Sequence, residues 1–162
     1  MSKTLITPVT QHLDAQQVDY HLLPQKHPTR TIEETAQQRG VRPSQMVKSI
    51  VLRDMGNQYA LACLPGDRHV DPKRVRAILD CRRMTCVAMS DIEAITGYQA
   101  GTVNPLLLKN AMPIIFDAQL LTETTVTISS GDAVLGIALD CKDLISLCNP
   151  LIADICRITN EI

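Results

Sequence analysis

Two apolar runs decide the fold of this chain: Met46-Val47-Lys48-Ser49-Ile50-Val51-Leu52 and Tyr59-Ala60-Leu61-Ala62-Cys63-Leu64. Turn residues separate them in Asp54-Met55-Gly56-Asn57, so the sequence predicts a β-hairpin with strands at about 46–53 and 58–64. Apolar residues fall on both faces of the first run, as in a strand of a sheet that is covered on both sides. We therefore expect a buried sheet that grows outward from this hairpin.

Short helices and further strands surround the hairpin. Helix starts are predicted where a side chain can accept a hydrogen bond from a free amide of the first turn, at Thr7, Thr31, Asp71, Ser90 and Asp140. Further strands are predicted at about 20–23, 83–89, 113–117, 124–130 and 134–139. This alternation lacks a regular βαβ rhythm, so it predicts an α+β fold with one mixed sheet flanked by short helices, in a single compact domain over residues 1–162.

Composition excludes several classes of function. The chain has 45% hydrophobic residues, no Trp, one Phe and three Tyr, and a net charge of −1. A broad grip on duplex nucleic acid needs a basic face, and a platform for single strands needs aromatic side chains. We therefore expect no DNA partner, and any contact with nucleic acid should be small and at one of its ends.

The cysteines and histidines do not form a metal motif. The six cysteines contain no Cys-x-x-Cys pair, and the four histidines lack a ligand spacing with them. No nucleotide-binding fingerprint is present, so no cofactor is expected. Met1-Ser2-Lys3-Thr4 lacks the apolar segment of a signal peptide, and no run is long enough to span a membrane. These features favour a cytoplasmic protein without a membrane partner, and we expect a monomer.

Lys48 and the loop Gly97-Tyr98-Gln99-Ala100-Gly101-Thr102-Val103-Asn104-Pro105-Leu106 are the candidate functional elements. A cation on so apolar a strand needs an anion or water close by, although its head could simply reach solvent at the strand end. Two glycines and a proline predict an irregular backbone that turns amides and carbonyls toward open space, although an ordinary turn has the same composition. Together they suit a phosphate-bearing ligand whose carbonyl must be held.

A cysteine–histidine pair offers a third possibility. Cys63 and His69 are near one another in sequence, which permits a nucleophile and its base. Cys63 lies within an apolar strand, however, where a thiol is typically inert packing.

A set of short motifs, in order along the chain, resembles a known family. They are Val47-Lys48-Ser49-Ile50, Thr96-Gly97-Tyr98, Gly101-x-x-x-Pro105, Pro113-Ile114-Ile115-Phe116-Asp117-Ala118, Ile128-Ser129-Ser130-Gly131 and Asp143-Leu144. The chain is similar from about Thr31 to Ile155 to the YbaK/ProX family, the aminoacyl-tRNA deacylases related to the editing domain of prolyl-tRNA synthetase. This resemblance implies a mixed, barrel-like sheet and hydrolysis of the ester between a wrong amino acid and the terminal adenosine of a tRNA.

The resemblance also implies roles for individual residues. Lys48 would bind the terminal phosphate of the tRNA acceptor end, and Gly101 would position the aminoacyl group and the attacking water through its backbone. Substrate-binding positions would be Ser49, Tyr98, Ala100, Thr102, Pro105, Ser130, Gly131 and Gly136. The implied partners are the tRNA acceptor end carrying an amino acid and an aminoacyl-tRNA synthetase.

Three departures leave the amino acid open. Gly136 stands where Cys-specific relatives carry an acidic residue, no histidine follows His69, and Ala100 replaces a bulkier residue. These changes are compatible with a wider pocket for Cys, Ala or another small amino acid on tRNA(Pro) or a related tRNA. The alternative is a module that binds a tRNA end or a nucleotide and no longer hydrolyses it.

Overall fold

A computed structural model describes residues 6–158; the predicted absence of a leader at residues 1–4 lies outside them. The strands in this part of the chain are β1 (Tyr20–Pro24), β2 (Val47–Arg53), β3 (Tyr59–Pro65), β4 (Thr85–Cys86), β5 (Ile114–Asp117), β6 (Thr125–Asp132), β7 (Leu135–Asp140) and β8 (Leu151–Ala153). The α-helices are α1 (Pro8–Ala15), α2 (Ile32–Arg39), α3 (Pro72–Leu79), α4 (Ile92–Thr96) and α5 (Cys141–Cys148). None of these helices has the length and apolar character to span a bilayer.

The strands form two sheets. The predicted hairpin of β2 and β3 is confirmed and lies within a five-stranded sheet of order β4-β2-β3-β5-β8, in which β3, β5 and β8 run parallel. A three-stranded antiparallel sheet has the order β1-β7-β6. The mixed α+β fold is thus confirmed, but the expected single barrel-like sheet is corrected. Between the two sheets only one parallel bridge forms among residues 6–158, Met46 to Thr127, so they do not close into a barrel.

The hairpin is buried on both faces, as predicted. Val51 and Leu61 pack into one core cluster with Phe116, while Leu52 and Leu64 belong to a second cluster on the other face. Burial of side chains such as these, at about 1.5–3 kcal/mol each, is the main stabilising term for a sheet in this position.

Four of the predicted helix starts are confirmed by their caps. The side chains of Thr7, Thr31, Asp71 and Asp140 each accept a hydrogen bond from a backbone amide of the helix that follows. The predicted cap at Ser90 is wrong. A short 3₁₀ helix at Met89–Asp91 leads into α4, which has no side-chain cap.

Two strand predictions need correction. The strand expected at 83–89 is reduced to β4, because only Thr85 and Cys86 pair with the end of β2 before the chain turns into the 3₁₀ helix. Strand β8 was not predicted; its three residues pair in parallel with β5 at the edge of the five-stranded sheet.

Candidate functional site

A cavity of about 480 Å³ lies where the two sheets meet, beside α2 and the 100–103 loop. It contains five of the ten residues that the sequence singles out: Lys48, Ser49, Ala100, Gly101 and Thr102. The other lining residues are Gln25, Pro28, Thr29, Ile32, Thr35, Arg39, Met46, Val47, Ile50, Val103, Thr127, Ser129 and Ala133. The structure thus places the candidate strand and the candidate loop around one space.

Lys48 lines this cavity, and its ammonium group uses only some of its hydrogen-bond donors within the described residues. Its ammonium group donates a hydrogen bond to the backbone carbonyl of Arg68, and its side chain is half-buried. Burial lowers the pKa of Lys48, an effect offset in part by Cys156, Asp67 and Glu33. Because an ammonium group has three donors and one is used within the described part of the chain, the others can bind a ligand.

The loop after α4 is held in place by its own side chains. The Tyr98 hydroxyl donates to the carbonyl of Leu106 at 2.5 Å, and the Thr102 hydroxyl donates to the carbonyl of Gln99 at 2.8 Å. The Leu106 amide donates to Asn104 Oδ1 at 2.9 Å. These bonds fix the backbone without a regular ladder, so the loop can present its peptide groups in a defined geometry.

Gly101 lies at the exposed tip of this loop. Its φ of +90° is in the left-handed region, and a Cβ built there meets nothing within 4 Å. Glycine is therefore required by the backbone conformation and not by crowding. Among residues 6–158, the amides of Gly101 and Val103 have no hydrogen-bond acceptor, so both N–H groups are available to a ligand.

The charges that line the cavity have one sign. Lys48 and Arg39 are cationic, and no Asp, Glu or His belongs to the lining of the described residues. Six of the seven uncharged polar lining residues carry a hydroxyl group, and the Thr127 hydroxyl is buried without a hydrogen-bond partner in this part of the chain. Such a cavity favours an anionic ligand and offers no conventional side-chain general base.

Arg39 is the functional candidate that the sequence reasoning missed. It is the last residue of α2, and its Nε donates to Gln25 Oε1 at 2.9 Å. Its guanidinium occupies the space beside Gly136, and burial lowers the pKa of Arg39 to about 10. The wider pocket expected from Gly136 is therefore filled by a cation.

The remaining predicted residues stand elsewhere. Tyr98, Ser130 and Gly131 line a second cavity of about 630 Å³, where the Tyr98 ring lies 3.2 Å from a Cβ built on Gly131. The fully buried Ser130 hydroxyl donates to the carbonyl of Leu135 at 2.7 Å. Pro105 is buried within the loop. Ser129 and Thr127, on the opposite face of β6 from Ser130, line the first cavity instead, as the alternation of a strand dictates.

The Cys63–His69 hypothesis gains no support from the geometry. Cys63 is fully buried, its sulfur lies 3.6 Å from the Ser49 hydroxyl, and burial raises the pKa of its thiol. His69 is exposed. Within the described ranges no three His, Cys, Asp or Glu side chains are grouped so as to hold a metal ion.

Comparison with known proteins identifies related sequences. Residues 26–147 match the sequence model of the aminoacyl-tRNA editing domain. The chain is 24% identical over 123 residues to the Enterococcus faecalis protein named "Putative Cys-tRNA(Pro)/Cys-tRNA(Cys) deacylase EbsC", covering 76% of this chain and 75% of that one. It is 31% identical over 93 residues to a proline–tRNA ligase of Thermoanaerobacter sp. (strain X514), covering 56% of this chain but 16% of the ligase.

Solved structures share the fold. The crystal structure of hypothetical protein APE2540 superposes with a TM-score of 0.85 at 23% identity, covering 92% of this chain and 99% of that one. A second crystal structure, described as "a putative trans-editing enzyme for prolyl tRNA synthetase", gives a TM-score of 0.80 at 22% identity and covers 95% of this chain and 100% of that one. At these identities the similarity establishes the architecture alone.

Proposed function

This chain belongs to the aminoacyl-tRNA editing domain family, and from that membership we propose that it is a trans-editing hydrolase of mischarged aminoacyl-tRNA. The bond cleaved is the ester between the amino acid and the terminal ribose. The proposed substrates carry Cys, Ala or another small amino acid on tRNA(Pro) or a related tRNA. The named activity of the Enterococcus relative and the similarity to proline–tRNA ligases support this choice.

The observation that carries the proposal is the meeting of Lys48 and the Gly101 loop in one cavity that has cationic and no acidic lining residues. A tRNA acceptor end brings a phosphate, a ribose and an ester carbonyl to the site. The free donors of Lys48 suit the phosphate, since hydrogen bonds between charged groups are about twice as strong as neutral ones. The free amides of Gly101 and Val103 suit the ester carbonyl and its developing negative charge.

Hydrolysis in this site would depend more on how the ester and the attacking water are positioned than on a side-chain general base. Water attacks the ester carbonyl carbon and the bond to the ribose oxygen breaks. One proton of the water goes to the ribose oxygen, and the other goes to solvent as the amino acid is released as its carboxylate. The adjacent ribose hydroxyl can assist the proton transfer. Holding the ester and water in one geometry can supply several kcal/mol of the barrier, and oriented backbone amides add electrostatic stabilisation.

A synthetase is the proposed second partner. The related segment in the Thermoanaerobacter proline–tRNA ligase is a small part of a much longer enzyme. We infer that a domain of this kind acts on tRNA that such an enzyme has charged, with the remaining tRNA contacts supplied by the synthetase or by the tRNA body.

A module that binds a tRNA end or nucleotide without hydrolysis is the alternative. One observation favours it: the described cavity lining contains no carboxylate or imidazole that could activate water. Under this alternative the same cations and amides would bind the ligand, and no ester would be cleaved.

The test is deacylation of a panel of tRNAs charged with Cys, Ala, Ser and Pro by the purified protein. Release of one amino acid above the spontaneous rate supports the hydrolase. No release from any of them, together with measurable binding of a non-hydrolysable aminoacyl-adenosine, would favour the binding module.

A further inference from the structure

Arg39 is anchored on one side and open on the other. It ends α2 and reaches across to β7 of the three-stranded sheet, where Gly136 leaves room for its guanidinium. Lys48 belongs to β2 of the five-stranded sheet, so the two cations enter the cavity from different elements, a helix and a strand. The cavity therefore has two cationic lining residues, and each of them can bind an anion.

The hydrogen-bonding capacity of Arg39 is mostly unused. A guanidinium group has five N–H donors. Nε donates to the Gln25 amide, while neither terminal nitrogen has an acceptor among residues 6–158. The two ion pairs of the described chain involve Arg42 and Arg74, so no carboxylate neutralises Arg39 within salt-bridge distance.

Arg39 is half-buried, and a partly desolvated guanidinium without a countercharge is less favourable for stability than one paired with an anion. Its planar fork matches the two oxygens of a carboxylate or phosphate group. Gln25 accepts from Nε and Arg39 lines the cavity, while both terminal nitrogens keep unused donors within the described part of the chain. Together these features indicate that an anionic group of a bound ligand pairs with Arg39.

We propose that Arg39, oriented by Gln25 and accommodated by Gly136, forms an anion-binding subsite that takes a carboxylate or phosphate oxygen of the ligand. The inference rests on the proposed function and extends it. The carboxylate could come from an acidic side chain on the amino acid, and the phosphate from the tRNA end. In the first case Arg39 selects the amino acid, and in the second it acts with Lys48 on the nucleic acid.

Four stable analogues distinguish these sources. Each joins 3′-amino-3′-deoxyadenosine through an amide to alanine or aspartate, with or without a 5′-phosphate. Their dissociation constants are measured by calorimetry for wild type, Arg39→Gln and Arg42→Gln. Arg42 is the matched control, since it is an arginine of the same segment whose exposed side chain pairs with Glu123 outside the cavity.

If the anion is a side-chain carboxylate, Arg39→Gln weakens both aspartyl analogues by roughly 10- to 100-fold and leaves the alanyl analogues unchanged. If the anion is a phosphate, Arg39→Gln weakens binding of both 5′-phosphorylated analogues. The affinity for the two analogues without a 5′-phosphate stays unchanged, whichever amino acid they carry. Arg42→Gln should match wild type in every case. Should Arg39→Gln fail to fold, Gly136→Ala provides the same comparison by displacing the guanidinium while retaining its charge.

Two outcomes would overturn the subsite. One is wild-type affinity of Arg39→Gln for all four analogues, and the other is an equal loss for all four, since neither depends on an anion. If wild type binds none of the four analogues, the subsite is rejected, while the proposed hydrolase is judged separately by release of amino acid from charged tRNA.

Discussion

The guanidinium of Arg39 lies against the backbone of Gly136, with its Cζ 2.5 Å from the position that a Cβ at residue 136 would occupy. The two residues come from different parts of the sequence, α2 and β7. Any side chain at position 136 would have to move the guanidinium, so the identity of one residue determines where the other places its charge.

Gly136→Ala should therefore relocate a charge without unfolding the protein. The atoms that a new methyl group meets are the far end of a flexible side chain, which can rotate away. We expect the free energy of unfolding to change by less than about 1 kcal/mol, because Gly is itself unfavourable in a strand by a similar amount. Chemical denaturation measures this change. A loss of several kcal/mol would contradict the account of this contact.

Gly101→Ala should lower turnover more than stability. The positive φ of Gly101 strains any other residue by about 1–2 kcal/mol, although the new methyl group has open space. Movement of the loop would displace the amides beside the ester, and we expect deacylation to fall roughly tenfold or more.

Asn149→Ala is the control for this loop variant. Asn149 ends α5 with a φ of +47°, so it introduces comparable backbone strain outside the cavity. Its turnover should remain at the wild-type level. Equal losses of turnover in both variants would show that strain, and not the loop geometry, causes the defect.

Substitution of Ser130 should lower stability, whereas substitution of Ser129 should impair substrate binding. The Ser130 hydroxyl is buried and bonded to the Leu135 carbonyl, so Ser130→Ala should cost about 1–3 kcal/mol of unfolding free energy. Ser129 is half-buried and lines the cavity, so Ser129→Ala should leave stability nearly unchanged and raise KM. Thermal unfolding and steady-state deacylation measure the two effects, and the reverse pattern would refute the assignment of the two faces of β6.

Cys63→Ser should keep its activity. The thiol is fully buried and its pKa is raised, so it is neither accessible nor ionised near neutral pH. We expect wild-type deacylation by the folded variant, with a stability loss of about 1–3 kcal/mol for a hydroxyl in the core. A folded variant without turnover would revive the thiol hypothesis.

Local patterns in the sequence were sufficient for much of the fold. The hairpin and the caps at Thr7, Thr31, Asp71 and Asp140 depend on neighbouring residues, and they were predicted. Sheet closure depends on pairing between distant strands, which no local pattern specifies. Strand β8 is only three residues long and largely exposed, so it lacks the apolar run by which a strand is recognised.

The candidate site likewise contains residues that local sequence patterns identify and residues that they do not. Lys48 stands out in sequence because a charge in an apolar strand is unusual, and Gly101 stands out because the motif around it resembles that of a known family. Arg39 does not, because an arginine at the end of a helix is ordinarily a solvated residue that complements the helix dipole. Its contact with Gly136 and its hydrogen bond to Gln25, both distant in sequence, hold it at the cavity. Because side chains alternate along β6, Ser129 lines the cavity and the predicted Ser130 does not.

The most direct test of the central claim compares deacylation by wild type, Lys48→Ala and Lys142→Ala on the charged tRNA that wild type hydrolyses fastest. Lys142 is an exposed lysine of α5 and lies outside the cavity lining, so it controls for loss of one positive charge. We predict that Lys48→Ala lowers kcat/KM by about 10- to 100-fold, as expected for loss of a charged phosphate contact. Lys142→Ala should match wild type. Equal activity of folded Lys48→Ala and wild type would contradict the proposed role of this cavity.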